Sequence, residues 1–377
     1  INTIRFLAAD AVQAANSGHP GLPMGAAPMA YVLWTQHLQH SPQNPGWANR
    51  DRFILSCGHA SMLLYSVLHL SGVQDSEPDG PAISLQDIES FRQLGSPCAG
   101  HPELGDAAGI EMTTGPLGQG ISTAPGFALA ERILNDTYKN TCDHFTYVIA
   151  SDGDLMEGIS HEACSLAGHL GLKKLIVLYD QNGITIDGSI ELSYTEDPVK
   201  RFEAYEWDVQ SVDGHNIEEI EEAIAYAKTT DKPSLICCRT KIGFGAPTKE
   251  NSSSSHGSPL GDEEIAGART NLKWPHAPFE IPDDVMAMWR SLGTKSPADD
   301  PTYDIDLSKL ESVVAALKKS FAEERPNKAT RQTSGACLEK LVPAIHALVG
   351  GSADLTGSNN TKTSNMRAIT KSDYSGR

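Results

Sequence analysis

The sequence has no apolar run near the roughly 20 residues that a membrane-spanning helix needs, and its first residues lack the basic-then-apolar order of a secretory leader. Both absences predict a soluble, cytoplasmic chain. Positive charge is scarce: 30 Lys and Arg stand against 48 Asp and Glu, a formal net charge of −18. Nucleic acids and anionic bilayers are bound through clustered Lys and Arg, so neither is an expected partner. Cysteine is sparse and unpatterned, seven residues without a C-x-x-C pair. This argues for reduced thiols and against a disulfide scaffold or a zinc site. Cys57, beside Gly58-His59, reads as either a reactive thiol or a small buried residue.

What is present is a long chain, 377 residues with 40% hydrophobic content, enough for two or more domains. Its centre is Thr146 to Thr185. Two short β-forming runs, Tyr147 to Ala150 and Leu175 to Tyr179, flank a segment that reads as one helix from about Leu155 to Leu170. That is a strand, helix, strand unit with parallel strands. Each strand ends in polar residues, Ser151-Asp152-Gly153-Asp154 and Asp180-Gln181-Asn182-Gly183. In an open parallel sheet, ligands bind at that edge. The Asp152 carboxylate and the Asn182 amide oxygen are hard donors that suit Mg²⁺ or Ca²⁺ better than zinc. Gly153 lets the backbone approach a diphosphate, and the spacing reads as a metal-diphosphate clamp.

Upstream, residues 4 to 15 pattern as an amphipathic helix that Gly18 can end, and His19-Pro20-Gly21 sets an imidazole at a loop tip before an apolar helix, Met24 to His37. A lone loop histidine is ordinarily only solvated. Here a strand from Asp51 to Ser56 delivers His59 to the start of a helix, Met62 to Leu70. Gly100-His101-Pro102 supplies a third loop histidine. Thr113 to Gly120 is a Gly-rich loop before the helix Ile121 to Leu134, without the Lys-Ser/Thr of a P-loop. Such loops form the rim expected of a doubly wound parallel sheet with helices on both faces.

Downstream, Trp207 to Val212 and Ser234 to Arg239 read as further strands, joined by a helix, Glu218 to Lys228, that Asn216 caps. A polar Ser-rich loop carries His256. Residues 1–272 read as an α/β domain and 273–327 as a linker with one helix, Leu307 to Glu324. Residues 328–377 read as the start of a second, incomplete α/β domain, with a helix from Thr330 to about Leu341 and a short strand from Ile345 to Val349.

Six segments in this order, Ser17-Gly18-His19-Pro20-Gly21, Ser56-Cys57-Gly58-His59-Ala60-Ser61, Gly115-Pro116-Leu117-Gly118-Gln119-Gly120, Asp152-Gly153-Asp154 with Asn182, Ser255-His256-Gly257-Ser258-Pro259-Leu260-Gly261 and Gly350-Gly351-Ser352-Ala353-Asp354-Leu355, make the chain similar to the transketolase family. The central pair resembles the thiamine diphosphate motif, with Ser151 in place of its usual first Gly. The resemblance implies a thiamine diphosphate-binding fold, with the diphosphate-binding domain at 1–272 and the start of a pyrimidine-binding domain at 328–377. It implies Asp152, Asn182 and the Ile184 carbonyl as Mg²⁺ ligands, with His59 and Gly153 near the diphosphate. Leu117 and Gly118 would touch the aminopyrimidine, and Asp354 would reach the cofactor of a partner subunit. His19, His101 and His256 would line the substrate channel and share proton transfers, while Arg331 and Ser358 would hold a sugar phosphate.

The implied reaction moves a two-carbon ketol unit from a ketose phosphate such as xylulose 5-phosphate to an aldose phosphate. The family's activating Glu does not occur before Arg377, which implies a homodimer or a hetero-oligomer with a chain carrying the rest of the pyrimidine-binding and C-terminal domains. The segment from Trp289 to Leu307 is also shorter than is usual in the family. Two alternatives remain open at this point. One is a non-catalytic thiamine diphosphate-binding or regulatory half; the other is a dihydroxyacetone synthase.

Overall fold

The computed structural model describes residues 1–75, 80–138, 142–292 and 305–377. The short stretch between Trp289 and Leu307 lies mostly outside them. The chain forms two compact units, Ile1–Arg132 with Thr141–Asp300, and Ile133–Asn140 with Pro301–Arg377.

The first unit is built on five parallel strands: β1 (Arg52–Leu55), β2 (Thr146–Ser151), β3 (Leu175–Gln181), β4 (Asp208–Asp213) and β5 (Ser234–Arg239). They lie in the order β1-β2-β3-β5-β4. Every residue of β2 is buried, as expected of a central strand covered on both faces. Alternation divides the sheet's apolar residues between those faces. Tyr147, Ile149, Ile176, Leu178, Ile236 and Cys238 join one cluster with the helices α1 (Asn2–Ala15), α2 (Gly21–Val32) and α3 (Ser61–Ser71). Val148, Ala150, Val177, Tyr179, Leu235 and Cys237, the alternating residues, are equally buried on the other side. The architecture is the expected α/β one.

Local chemistry explains where the elements start and stop. The left-handed residue that ends α1 is Asn16 (φ 48°), not the expected Gly18, and it lets Ser17 N–H reach the Val12 carbonyl. α1 is also buried on more than one face, since Phe6 and Ala9 join Met24, Leu260, Ile265 and Ala268 in a second cluster. α2 begins earlier than its apolar pattern predicts and tolerates Pro28, which has no N–H for the Met24 carbonyl; the buried Arg5 Nε donates to that oxygen instead, at 2.9 Å. Its continuation, Leu33–His37, is a π-turn. In α6 (Ile217–Ala227) Asn216 caps as expected, accepting from Glu218 and Glu219 N–H.

The helix expected from Leu155 to Leu170 is in fact two. A short helix, Asp152–Met156, ends at Glu157 in an extended conformation (φ −70°, ψ 137°), and α5 (Gly158–Leu170) starts afresh. The Ser160 hydroxyl donates to the Asp154 carbonyl at 2.6 Å, so the break leaves that buried acceptor satisfied. α4 begins at Gln119 and runs to Thr137, and α7 spans Asp262–Asn271. Arg269 of α7 holds the buried Asp10 of α1 through both carboxylate oxygens. A further helix, Asp283–Ser291, seals Trp289 inside the first unit against Tyr31. Among the described residues no helix is long and apolar enough to cross a membrane.

The second unit contains α8 (Leu310–Glu324) and α9 (Thr330–Ala344). Val313, Val314, Leu317 and Phe321 form the expected apolar stripe of α8, but they are only half-buried. Residues 345–349 are not a strand. α9 runs on to Ala344, through Pro343 in its last turn, and no described strand lies beside Ile345 to supply ladder partners.

Candidate functional site

The C-terminal ends of β2 and β3, the loop after β5 and the loop before α2 enclose a cavity of about 240 Å³. Its walls include His19, His59, His256, Leu117, Gly153, Asn182 and Ile184, with Leu22, Ile186 and Ile242 as an aliphatic lining. Two larger and more open hollows lie elsewhere, beside Asp75, Asp87 and Asp106 and, in the second unit, beside Arg325 and Cys337. Neither gathers comparable chemistry.

Four loops that are distant in sequence bring four imidazoles together. The ring of His19 lies 5.1 Å from His59, 5.7 Å from His256 and 6.5 Å from His101, and His59 stacks on His256 at 5.1 Å. Burial, then the neighbouring His256, Arg92 and His101, pushes His19 down to about 4. Burial also holds His59, His101 and His256 below their ordinary range. The cluster is therefore neutral at neutral pH, with each ring offering one N–H and one lone pair. His19 Nδ1, His59 Nε2 and His256 Nδ1 are buried without a hydrogen-bond partner among the described residues.

The His59 loop depends on glycine. A Cβ on Gly58 would meet Thr114 Oγ1 at 2.6 Å and Gly115 N at 2.7 Å, so only glycine lets the turn after β1 lie against the Gly-rich loop. Asp154 fastens the same loops from below. Fully buried, it accepts from Ser56 Oγ (2.8 Å) and Gly118 N–H (2.8 Å) on one oxygen, and from Ser151 N–H (2.9 Å) and Oγ (3.1 Å) on the other. Ser56 Oγ in turn accepts from Ile121 N–H. The ends of β1 and β2 and the start of α4 are thus tied to one carboxylate.

Asp152 and Asn182 meet as their spacing predicts. Asp152 is buried. One of its oxygens accepts from Tyr179 Oη and the other from Asn182 N–H (3.2 Å) and Gly183 N–H (2.8 Å). Burial raises its carboxyl above the ordinary value, against those three hydrogen bonds. Asn182 Oδ1 accepts from Ile184 N–H at 2.9 Å, and its Nδ2 donates to Asp180 at 2.6 Å. Burial pushes Asp180 up to about 7, with Thr240 Oγ1 donating to its other oxygen.

This donor set fits a hard divalent cation and a diphosphate. Among the described residues no three His, Cys, Asp or Glu side chains form a metal site of their own. One carboxylate, one amide oxygen and one backbone carbonyl would leave the rest of a cation's shell to phosphate and water. A Cβ on Gly153 would reach within 2.8 Å of Leu117 Cδ1, so the glycine keeps the cavity open beside the Asp152 turn. The buried orphan imidazole nitrogens give a polar ligand unused hydrogen-bonding atoms.

Of the expected site residues, His19, His59, His101, His256, Leu117, Gly118, Gly153, Asp152, Asn182 and Ile184 all fall in the first unit, at or beside this cavity. Arg331, Ser358 and Asp354 fall in the second, where all three are exposed and Asp354 takes a left-handed φ of 53°. Tyr179, Asp180, Thr240 and the clamp role of Asp154 escape a reading of the sequence. Their roles arise from pairings across strands, and only the place of Asp180 two residues before Asn182 gives a local hint.

The family model described as "Transketolase, thiamine diphosphate binding domain" matches residues 1–331. Transketolase 2 of Vibrio vulnificus is 49% identical over 403 residues, covering 100% of this chain and 59% of its own length. The transketolase of Sinorhizobium medicae is 47% identical over 395 residues, with 100% and 56% covered. Among solved structures, transketolase from Leishmania mexicana superposes with a TM-score of 0.86 at 40% identity, covering 100% of this chain and 59% of that one. A Pichia stipitis transketolase complex with sedoheptulose 7-phosphate gives 0.85 at 39%, with the same coverage. The chain spans a little under three-fifths of the length of the relatives it matches.

Proposed function

The chain belongs to the transketolase family and carries its thiamine diphosphate-binding domain, and from that membership we propose that it takes part in moving a two-carbon ketol unit from a ketose phosphate to an aldose phosphate. The observation that carries this reading is the neutral four-imidazole cluster beside the Asp152–Asn182 pair. A site that only held the cofactor would have no use for so many unpaired imidazoles over its cavity.

In this proposal Asp152, Asn182 and the Ile184 carbonyl hold Mg²⁺, with Ca²⁺ also suited to the oxygen set. His59 and Gly153 lie by the diphosphate, and Leu117 and Gly118 by the aminopyrimidine. Thiamine diphosphate, when bound, supplies a ring that accepts the electrons released as the ketose C–C bond breaks. The chain's own residues bind, orient and handle protons. His19, His101 and His256, held neutral by burial, each give a sugar hydroxyl a donor or an acceptor and take up a proton only as charge develops. Leu22 and Ile242, both buried in the cavity wall, keep water from the reacting atoms. Arg331 and Ser358 grip the terminal phosphate of the sugar.

In this reading residues 1–272 form the diphosphate-binding domain and 328–377 the start of the pyrimidine-binding domain; the linker expected at 273–327 holds two described helices and not one, and Asp283–Ser291 packs its Trp289 into the first unit. The proposal also includes a partner subunit whose cofactor Asp354 approaches. Exposed Leu117 and Ile186 on the wall of the cavity support such a partner, because exposed apolar side chains beside a polar site mark a docking face. The cytoplasm is the proposed compartment; six of the seven cysteines are buried, and no disulfide forms among the described residues.

The test is ketol transfer from xylulose 5-phosphate to ribose 5-phosphate with thiamine diphosphate and Mg²⁺, using this chain alone and mixed with a chain that carries the remaining domains. Transfer is expected in the mixture. Cofactor binding without transfer in either sample would replace the enzyme reading with that of a binding module.

A further inference from the structure

Resting on the cation site just proposed, we infer that Asp180 is a positioning residue: through one hydrogen bond it sets which end of the Asn182 amide faces the metal-binding loop. An Asn side chain can turn over and exchange its oxygen for its nitrogen, and only the oxygen can ligate a cation. Here each end has its own partner. Oδ1 takes the Ile184 backbone N–H, which can only donate, and Nδ2 gives its hydrogen to an oxygen of Asp180. The amide oxygen is thereby held on the side of Ile184, whose carbonyl belongs to the same proposed cation set.

The surroundings of Asp180 point the same way. It is fully buried at the end of β3, a costly place for a carboxylate. Its two hydrogen-bond partners are Asn182 Nδ2 and the hydroxyl of Thr240, which lies one residue beyond β5. The next residue up the strand, Tyr179, reaches the opposite way to donate to Asp152. Successive β3 residues thus support the carboxylate and the amide of the proposed cation site from the two faces of the sheet. Groups that orient metal ligands typically alter metal affinity by about 10- to 100-fold when removed.

The substitution Asp180→Asn keeps the shape and offers an NH₂ that lets the Asn182 amide turn over. The measurement is the Mg²⁺ concentration that half-saturates thiamine diphosphate binding to the full chain, followed by titration calorimetry alongside thermal unfolding. D180N is expected to raise that concentration about 10-fold or more. Thr240→Val keeps the Asp180 side chain but removes the hydroxyl that anchors it, and a shift of severalfold in the same direction is expected. A role confined to folding would lower the melting temperature and leave the Mg²⁺ dependence unmoved. Wild-type Mg²⁺ dependence in D180N, or in T240V should D180N not fold, overturns the inference alone. Wild-type chain that binds the cofactor equally well without Mg²⁺ overturns the cation site and the inference together.

Discussion

Asp154 in the first unit and Glu339 in the second do the same job in opposite settings. Each carboxylate fastens a loop, Asp154 through donors from Ser56, Gly118 and Ser151, and Glu339 through the N–H and hydroxyl of Ser364, both at 2.8 Å. Asp154 is sealed from water, whereas Glu339 and Ser364 are exposed. Water can replace a lost partner in the second case and not in the first. The contrast extends to the functional candidates. The imidazoles and Asp152 owe their positions to packed strand ends, while Arg331, Asp354 and Ser358 stand on exposed backbone. In the proposed function, proton handling that needs fixed geometry falls to the first unit, and the phosphate contact of Arg331 and Ser358 falls to the exposed second unit.

The strongest way to break this contrast is through turnover. His256→Ala should lower kcat by about 10²- to 10⁴-fold in the assembled enzyme and leave thiamine diphosphate affinity unchanged. Arg331→Ala should instead raise KM for phosphorylated sugars about tenfold with a smaller effect on kcat. Steady-state kinetics with calorimetric cofactor titration separates the two; equal loss of binding and turnover in the first variant would make His256 structural.

Next in size is stability. Asp154→Ala orphans several buried donors and should cost on the order of 3 kcal/mol or more, whereas Glu339→Ala should cost less than about 1 kcal/mol. Urea unfolding measures both, and similar losses would erase the distinction between the two settings.

The smallest predicted effect concerns acid. The folded chain holds His19 near 4, below its ordinary value of 6.5, so between these values the unfolded chain binds a proton that the folded chain does not. This contribution to stability is complete above about pH 6.5 and is lost as pH falls toward 4. His19→Gln should flatten the pH dependence of stability in that window, and an unchanged slope would mean that other groups carry it.

Where sequence was a good guide, the physics was local. Short β-forming runs marked all five strands of the sheet, the polar residues at the ends of β2 and β3 marked the edge where the cavity lies, and Asn216 marked a cap. Where it failed, the deciding contact was distant. The break at Glu157 accompanies Ser160 reaching back to Asp154 and Asp154 reaching across to Gly118, and nothing near 157 announces either bond. Pro28 in α2 is tolerated because Arg5 of α1 serves the carbonyl it leaves. The apolar run 345–349 has strand composition but no neighbour to pair with among the described residues. The candidate ligands were legible by motif; the groups that orient them, Tyr179, Asp180 and Thr240, were not, because they act across the sheet.

The most direct test of the central claim is calorimetric titration of thiamine diphosphate into the chain, with and without Mg²⁺, for the wild type and for Asp152→Ala. Binding that requires Mg²⁺ in the wild type and is lost in D152A is the predicted result. Equal affinity in the two proteins, or binding indifferent to the cation, would contradict the assignment of Asp152 and Asn182 as its holders.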